Sequence, residues 1–384
     1  MIKLEKLSKV FETPGGGSVI AADQVSMEVP EGEICVLLGP SGCGKTTTLK
    51  MINGLIQKTS GKIWVAGRDT DEQDPVQLRR SIGYVIQQIG LFPNMTIEDN
   101  ICVVPDLLGW DKTKSRRRAG ELLELVNLDP GIFLKRYPKE LSGGQQQRVG
   151  VIRALAADPP VLLMDEPFGA IDPINRAVIQ DEFLKMQTEL RKTIAFVSHD
   201  IDEAIKMADK IAIFKDGILE QYDSPDDLLA RPANDFIASF LGQDRTLKRL
   251  SLLQVQDVMF GDQVRVMARD DLEKARGLMR EVGHKNIVMV GPRGRARGYL
   301  HLNDILDSTG KVEEHYQGLP ATVNIRDDLR SAVSKMFRHD TTWLVCVDDE
   351  GFFKGSITQR AISHALGATY RDSDVATGAA AEAL

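Results

Sequence analysis

The sequence has 384 residues, of which 42% are hydrophobic and 27% are charged, and its formal net charge is −7. At about 150 residues per domain this length predicts two or three domains, and the composition is ordinary for a globular protein. The negative charge argues against non-specific nucleic-acid binding, and no apolar run approaches the roughly 18 residues that span a bilayer, so we expect any membrane role to involve a partner.

The chain begins with residues 1–30, where apolar and polar residues alternate on either side of a turn signal at residues 14–17. This pattern predicts a β-hairpin or a small antiparallel sheet. Phe11 falls at the end of one of these strands, where its ring is able to stack on an adenine. An aromatic residue at such a place more often belongs to a core, so both interpretations stay open.

Residues 39–47 fit the phosphate-binding pattern G-x-x-x-x-G-K-[ST]. The apolar run Ile34–Leu38 before them predicts a buried parallel strand, and Thr46–Asn53 continues as a helix. Glycines let successive N–H groups point at phosphate oxygens, while Lys45 should reach the β- and γ-phosphates of ATP and the Thr46 hydroxyl should bind Mg²⁺. The loop residues are Gly39, Pro40, Ser41, Gly42, Cys43, Gly44, Lys45, Thr46 and Thr47.

Three later apolar runs end in polar residues, and helical patterns separate them. The runs are residues 81–88, 161–167 and 193–198, and the clearest helical patterns are residues 112–128 and 174–190. Strands that alternate with helices in this way predict a doubly wound α/β layer with a parallel sheet.

Four polar side chains stand at the ends of these runs. Asp165 should hold Mg²⁺, and Glu166 should polarise the water that attacks the γ-phosphate. Gln87 would bring an amide to both the Mg²⁺ and the water. Because open α/β sheets bind ligands at the carboxyl edge of their strands, we interpret His199 as a ligand contact and not as a structural histidine.

The run from Leu141 to Gln145 contains Ser142, Gly143 and Gly144 and lies between the phosphate loop and the carboxylate run. This run resembles the signature of ATP-binding cassette (ABC) ATPases. The resemblance implies a P-loop NTPase cassette over residues 1–242, built from a parallel sheet core, an antiparallel β subdomain and a helical subdomain at about residues 90–160.

The same family supplies roles for four further residues. Its glutamine-loop residue corresponds to Gln87, its switch histidine to His199, and the aspartate after the carboxylate strand to Asp172. The adenine-stacking aromatic corresponds to Phe11, where Tyr or Trp is usual in the family.

The resemblance also implies how the site is completed. In the family, the signature serine and glycine N–H groups cap the γ-phosphate of an ATP bound to a second cassette, so we expect a head-to-tail dimer that closes on two ATP molecules. Residues 88–100 would form part of a groove for a coupling helix of a transmembrane permease. The chain would then be a peripheral protein at the cytoplasmic face of the bacterial inner membrane, acting indirectly with an extracytoplasmic solute-binding protein.

The last third of the chain repeats itself at an offset of 57 residues, which indicates two copies of one supersecondary unit. We expect a linker at residues 243–255, copies at residues 256–312 and 313–370, and a disordered tail at residues 371–384. Each copy is predicted to contain, in order, a strand, a helix, two strands and a helix. The matched pairs include Ala275 with Ala332, Met279 with Met336, Val288 with Val345, Gly298 with Gly355 and Ile305 with Ile362.

This repeat resembles an α+β tandem of cystathionine-β-synthase (CBS) domains, which often bind adenine nucleotides through a hydroxyl and, three residues on, an aspartate. The first copy has Asp304 without the hydroxyl, and the second has Thr358 without the aspartate. Three interpretations stay open: nucleotide binding, dimerisation alone, or contact of Arg293, Arg295 and Arg297 with anionic lipid in a response to ionic strength.

A cassette followed by this repeat resembles the ATPase subunits of glycine betaine, choline or proline osmoprotectant importers. The resemblance implies that ATP hydrolysis powers import of a quaternary amine. The alternatives are an importer ATPase for another solute such as an amino acid or polyamine, a soluble cassette protein of DNA repair or translation, and a non-enzymatic sensor.

Overall fold

The computed structural model describes residues 1–13, 16–87, 90–169, 171–261 and 264–367. They divide into two compact units, the first made of residues 1–228 and 232–240 and the second of residues 229–231 and those from 241 onward. The predicted turn residues Pro14 and Gly15, the first groove residue Gln88 and the predicted tail 371–384 lie outside the described residues.

The helices and strands up to residue 241 alternate, as expected for an α/β layer. The strands are β1 (Ile2–Glu12), β2 (Ser18–Val29), β3 (Ile34–Leu38), β4 (Ser60–Val65), β5 (Arg68–Asp69), β6 (Ile82–Val85), β7 (Val161–Asp165), β8 (Thr193–Val197), β9 (Lys210–Lys215) and β10 (Ile218–Asp223). The helices are α1 (Lys45–Ile52), α2 (Pro75–Ser81), α3 (Ile97–Leu107), α4 (Lys112–Leu125), α5 (Pro130–Phe133), α6 (Gly143–Leu155), α7 (Pro173–Leu190), α8 (Ile201–Met207), α9 (Pro225–Ala230) and α10 (Asp235–Leu241).

A six-stranded sheet in the order β10-β9-β3-β8-β7-β6 forms the centre of the first unit. The five strands from β9 to β6 are parallel, and β10 pairs antiparallel with β9 at the edge. The three central strands β3, β7 and β8 are buried at every residue, as expected for parallel strands with helices on both faces. The predicted doubly wound layer is confirmed.

An antiparallel sheet in the order β2-β1-β4-β5 lies beside the parallel sheet. The predicted hairpin of residues 1–30 is confirmed, with Ile2 paired to Val29 and Leu4 to Met27. One buried cluster contains residues of this sheet together with Leu49 of α1 and residues of β3 and β7. Apolar residues of both sheets therefore pack around helix α1. This packing fixes the position of the amino end of the helix, which the phosphate-binding loop joins.

The run of residues 81–88 differs from its prediction as a single strand. Asp74 accepts hydrogen bonds from the N–H groups of Val76 and Gln77 at 3.0 and 2.9 Å, and Pro75 occupies the first helical position, so α2 begins there and continues through Ser81. The strand is left with Ile82–Val85, and Gln87 lies beyond its end instead of terminating it.

The second unit contains two copies of one small fold. Its strands are β11 (Phe260–Gly261), β12 (Arg265–Met267), β13 (Asn286–Val290), β14 (Ala296–His301), β15 (Thr322–Asn324), β16 (Trp343–Val347) and β17 (Phe353–Thr358). Its helices are α11 (Arg245–Arg249), α12 (Val255–Val258), α13 (Leu272–Val282) and α14 (Leu329–Arg338), and residues 359–367 are also helical.

The two copies share one backbone register. In the first, β12 is parallel and β14 antiparallel to β13, and β15, β16 and β17 repeat this pattern in the second. The matched glycines have a physical reason, because a Cβ on Gly298 would lie 2.5 Å from the Gln317 carbonyl oxygen and one on Gly355 only 1.9 Å from that of Phe260. Each glycine lets a neighbouring backbone approach its sheet.

The prediction of a final helix in each copy is wrong for the first. Leu302–Ile305 forms only a 3₁₀ turn there, whereas residues 359–367 of the second copy are helical. The guanidinium of Arg276 on α13 donates to the Ile305 and Ser308 carbonyl oxygens, each at 2.7 Å, and Gly310 has φ +115°. The Arg276 side chain therefore satisfies carbonyl groups that a helix would otherwise use, and the chain does not continue as a helix. Val333, at the matched position of the second copy, cannot donate such hydrogen bonds.

The segment expected to be a linker carries α11 and places Leu250 and Val255 in the buried cluster of the second copy. Among the residues that the structure describes, no helix combines the length and apolar character needed to cross a membrane.

We predict that Gly355→Ala destabilises the second unit by about 1–3 kcal/mol or more, because the new methyl group overlaps the Phe260 carbonyl and the φ of +155° is unfavourable for alanine. Thermal unfolding followed by circular dichroism measures this. Gly261→Ala is the matched control, since a Cβ there meets nothing within 4 Å. Equal unfolding temperatures for the two variants would contradict the prediction.

Candidate nucleotide-binding and catalytic site

The phosphate-binding loop joins β3 to α1, and two of its glycines fit where side chains would collide. Gly39 and Gly44 have φ of +143° and +101°. A Cβ on Gly39 would lie 2.2 Å from the Phe214 carbonyl oxygen, and one on Gly44 would lie 2.0 Å from that of Ala21. The loop backbone is therefore enclosed between β9 and β2, and its path is set by these two contacts.

Lys45 lies against the inner side of this loop. Its side chain is 7% exposed, and its Nζ donates to the Gly39 and Pro40 carbonyl oxygens at 2.7 and 2.8 Å. Burial raises the pKa of the neighbouring Cys43 thiol. Lys45 thus provides a positive charge at the start of α1, where the helix dipole also favours an anion.

Thr46 and Asp165 meet at the carboxyl edge of the parallel sheet. The Thr46 hydroxyl donates to Asp165 Oδ1 at 2.9 Å, and the aspartate is 4% exposed. Burial raises the pKa of Asp165 above its ordinary range, although the Thr46 hydrogen bond opposes this. A hydroxyl and a carboxylate that converge beside a phosphate loop fit Mg²⁺, which prefers oxygen ligands and takes the rest of its shell from phosphates and water.

Glu166 directly follows Asp165, and its backbone has an unusual conformation. Its φ is +47°, in the left-handed region, and its N–H donates to the Val197 carbonyl oxygen at 3.1 Å. Its Oε2 accepts from Gln87 Nε2 at 3.0 Å, and its Oε1 lies 3.7 Å from His199 Nδ1. The chain segments after β6, β7 and β8 therefore bring Gln87, Glu166 and His199 together, as the sequence predicted.

Phe11 is placed apart from these carboxylates. It pairs with Val19 on β2, the strand whose Ala21 contacts the loop, and its ring is 39% exposed with Lys9 Nζ 4.7 Å above it. The ring is accessible for stacking, and its contact with adenine stays a prediction.

The signature residues form the start of α6. The Ser142 hydroxyl accepts from the Gln145 N–H at 3.3 Å, and Gln145 Oε1 accepts from the Ser142 N–H at 2.9 Å, which is a capping box. These hydrogen bonds lie within the helix start and do not reach the phosphate-binding loop. A Cβ on Gly143 would meet nothing within 4 Å, whereas a Cβ on Gly144 would lie 3.3 Å from the Ile179 side chain.

Asp172 likewise begins a helix. Its Oδ1 accepts from the Asn175 N–H at 3.1 Å at the start of α7. The sequence did not predict a contact between α6 and the segment that follows Glu166. Buried Gln147 of α6 donates to the carbonyl oxygen of Pro167, one residue past Glu166. Nothing distinguishes Gln147 within the run Gln145–Gln147, because only folding shows which of these side chains points inward.

These features define the chain as a P-loop NTPase of the cassette class. They are a strand, a glycine loop and a helix in succession, with a carboxylate pair at the edge of a parallel sheet. Residues 22–169 match the ABC transporter family profile. The chain is 54% identical over 368 residues to the osmoprotectant import ATP-binding protein OsmV of Salmonella typhimurium, an alignment that covers 95% of this chain and 96% of that relative.

Two further comparisons agree. The chain is 46% identical over 367 residues to the glycine betaine/carnitine/choline transport ATP-binding protein OpuCA of Bacillus subtilis, with 94% and 95% of the two chains covered. The dimeric structure of MJ0796, a bacterial ABC transporter cassette, matches with a TM-score of 0.53 and 35% identity over 58% of this chain and 98% of that one. The chain belongs to the ATP-binding proteins of ABC transporters, within the group that includes OsmV and OpuCA.

We predict that Asp165→Asn stabilises the nucleotide-free protein at neutral pH. The raised pKa of Asp165 means that folding disfavours its ionised form. This unfavourable contribution is absent below the ordinary carboxyl pKa, where both states are protonated, and it develops as pH rises through the raised value. The unfolding temperature of the variant should exceed that of the wild type at about pH 8, and the difference should shrink towards about pH 4.

Asp307→Asn, which changes an exposed aspartate, is the control and should give a difference that is small and independent of pH. A larger stabilisation by Asp165→Asn at acid pH than at neutral pH would contradict the sign of the argument.

Proposed function

We propose that this chain hydrolyses ATP to power the import of a quaternary amine osmoprotectant, such as glycine betaine, choline or proline betaine. The observation that carries the hydrolysis is the convergence of Gln87 and His199 on Glu166, next to Thr46 and Asp165. The solute class is supported by the names of the two import proteins that match nearly the whole chain.

In this proposal, the residues of the phosphate-binding loop bind the phosphates of ATP. Lys45 neutralises the β- and γ-phosphates, and the backbone N–H groups between Gly39 and Thr47 surround them. Thr46 and Asp165 would hold Mg²⁺, with the Gln87 side-chain oxygen as a further ligand. When bound, Mg²⁺ supplies charge that stabilises the transferred phosphoryl group.

Glu166 orients the water that attacks the γ-phosphorus. The bond from the water oxygen to phosphorus forms while the bond to the β–γ bridging oxygen breaks, and the water proton is accepted by the Glu166 carboxylate. His199 Nδ1 lies 3.7 Å from that carboxylate, and we propose that the imidazole contacts the γ-phosphate beside the attacking water. Phe11, near the carboxyl end of β1, stacks on the adenine.

The second half of each site comes from another copy of the chain. The N–H groups of Gly143 and Gly144 lie in the first turn of α6, where helix N–H groups have no intrahelical partner, and the space beside Gly143 is open. With Ser142, Gln145 and Asp172 they would contact an ATP held by the partner's loop. The dimeric ABC cassette structure that matches residues of this unit supports such an assembly.

We infer that the permease binds beside the segment that follows Gln87. A cleft of about 450 Å³ there is lined by apolar residues that include Ile86, Phe92 and Val103, together with Arg79 and Arg153. Ile86 and Phe92 are 41% and 46% exposed, which is unusual for such side chains in a water-facing cleft. A coupling helix of a membrane partner is a suitable occupant, and it would place the chain at the cytoplasmic face of the membrane.

We further propose the division into a cassette at residues 1–242, a linker at 243–255 and CBS-type copies at 256–312 and 313–370. A cleft of about 990 Å³ in the second unit is lined by Phe260, Trp343, His284, Lys285 and Arg360, among others. Thr358 also lines it but caps its own helix by accepting from the Ala361 N–H at 3.1 Å.

The arginine turn offers a different route to regulation of transport. Arg293 and Arg295 lie on the turn before β14 and Arg297 lies at the start of that strand, and all three are exposed. The Arg295 guanidinium lies 5.7 Å from the Phe352 ring centre. We propose that the second unit regulates transport, through an adenine nucleotide in its cleft or through anionic lipid at these arginines.

The solute is tested by co-purifying the chain with its permease and measuring ATPase activity in vesicles with the solute-binding protein. Glycine betaine or choline should stimulate hydrolysis, and an amino acid or polyamine should not.

Glu166→Gln should reduce hydrolysis at least about 100-fold while ATP still binds, since only the water-orienting carboxylate is lost. Glu189→Gln, on the exposed face of α7, is the matched control and should retain full activity.

Stimulation by a polyamine alone would overturn the solute proposal, and unchanged hydrolysis by Glu166→Gln would overturn the catalytic one.

The regulatory role is tested by transport in the same vesicles with and without residues 251–384. With the full chain, transport should respond to ionic strength in anionic vesicles or to adenine nucleotide. The truncated chain should lose that response while it keeps basal hydrolysis. If truncation changes neither dependence, the second unit does not regulate transport.

A further inference from the structure

A buried carboxylate, that of Glu203 on α8, lies behind the histidine of the site. Its side chain is 6% exposed. One carboxylate oxygen accepts from the Gln180 side chain at 2.9 Å, and the other accepts a short hydrogen bond from the Ser198 hydroxyl. Burial raises the pKa of Glu203, and these two donors hold it in place.

The Ser198 partner immediately precedes His199. The Ser198 hydroxyl also accepts from the Asp200 N–H at 3.0 Å, so it bonds to the residue on the other side of the histidine. Asp200 in turn accepts from the Glu203 N–H at 3.2 Å. The three-residue turn that carries His199 is thus closed by hydrogen bonds that centre on Glu203.

Packing does little to orient the histidine itself. The His199 side chain is 61% exposed, although its Nδ1 must stay near Glu166 for it to act there. Its position therefore depends on the backbone of the turn. A small displacement of this turn is enough to affect a reaction that requires near-attack geometry.

We propose that Glu203 is a positioning residue for ATP hydrolysis, which fixes the Ser198–Asp200 turn and so holds His199 at Glu166. Through Gln180 the same carboxylate ties this turn to α7, the helix that Asp172 caps. Arg176 forms a parallel link, because it pairs with Asp200 at 3.4 Å and donates to the Ile171 carbonyl oxygen at 3.0 Å. The inference rests on the proposed hydrolysis at this site.

The test is a double-mutant cycle between Glu203→Ala and His199→Ala, with ATPase kinetics as the readout. In the wild-type background, Glu203→Ala should lower kcat roughly 10- to 100-fold and leave KM for ATP nearly unchanged, since the phosphate loop is untouched. In the His199→Ala background the same change should lower kcat less than about two-fold, because the histidine through which it acts is gone.

Two further variants separate positioning from general damage to the fold. Ser198→Ala removes only the hydroxyl link and should reproduce most of the loss, so it replaces Glu203→Ala if that variant does not fold. Gln187→Ala is the control, because it removes a different buried polar side chain, on α7, that donates to the Gly32 and Lys192 carbonyl oxygens, and it should leave kcat unchanged.

An equal loss of kcat from Glu203→Ala in both backgrounds, or the same loss in Gln187→Ala, would overturn the positioning role. Neither result would bear on the proposed function, whose failure would appear instead as wild-type protein that does not hydrolyse ATP.

Discussion

The site depends on one steric constraint, the close approach of the phosphate-binding loop to the strands on either side of it. Gly39 lies under the Phe214 carbonyl of β9 and Gly44 under the Ala21 carbonyl of β2, at distances that exclude any Cβ. The loop therefore joins the parallel sheet to the antiparallel one, and α1 is enclosed between them. Changes in either sheet would reach the phosphates through this loop, because its backbone has no room to yield.

The two adjacent carboxylates have different environments. Asp165 is the last residue of a buried strand and is 4% exposed against the Thr46 hydroxyl, whereas Glu166 has left the strand in a left-handed conformation that turns its side chain towards Gln87 and His199. Such a backbone is unfavourable for glutamate by about 1–3 kcal/mol, and its hydrogen bond to Val197 maintains it. In the proposed mechanism, one peptide bond thus separates the buried carboxylate that would hold Mg²⁺ from the more accessible carboxylate that would orient water.

The sequence predicted those features that depend on local pattern. The phosphate loop, the apolar strands and the carboxylate pair are contiguous in the chain, so their spacing identifies them, and the parallel sheet then brings His199 to the same edge. The expected position of Gln87 at the end of a strand is wrong because β6 ends at Val85, two residues before it, while α2 takes only Ser81 from the expected run. Gln147 and Glu203 were missed because their hydrogen bonds cross between elements distant in the chain. The final helix of the first repeat was predicted wrongly for a similar reason, since the Arg276 guanidinium that satisfies its carbonyl groups comes from another helix.

Two helix starts that suit an anion, those of α1 and α6, differ in their surroundings, because only the start of α1 adjoins Asp165 and Glu166. At α1, Lys45 and the loop are next to Asp165 and Glu166, while at α6 the capping box of Ser142 and Gln145 is complete without involving the loop. The capping box holds the second start in a helical conformation, so a partner's phosphate would meet N–H groups that are already aligned. The buried contact of Gln147 with the Pro167 carbonyl joins α6 to the segment just after Glu166. A force that moves α6, from a permease or from a second copy, would therefore act on Glu166, the carboxylate proposed to orient water, through the backbone that carries it.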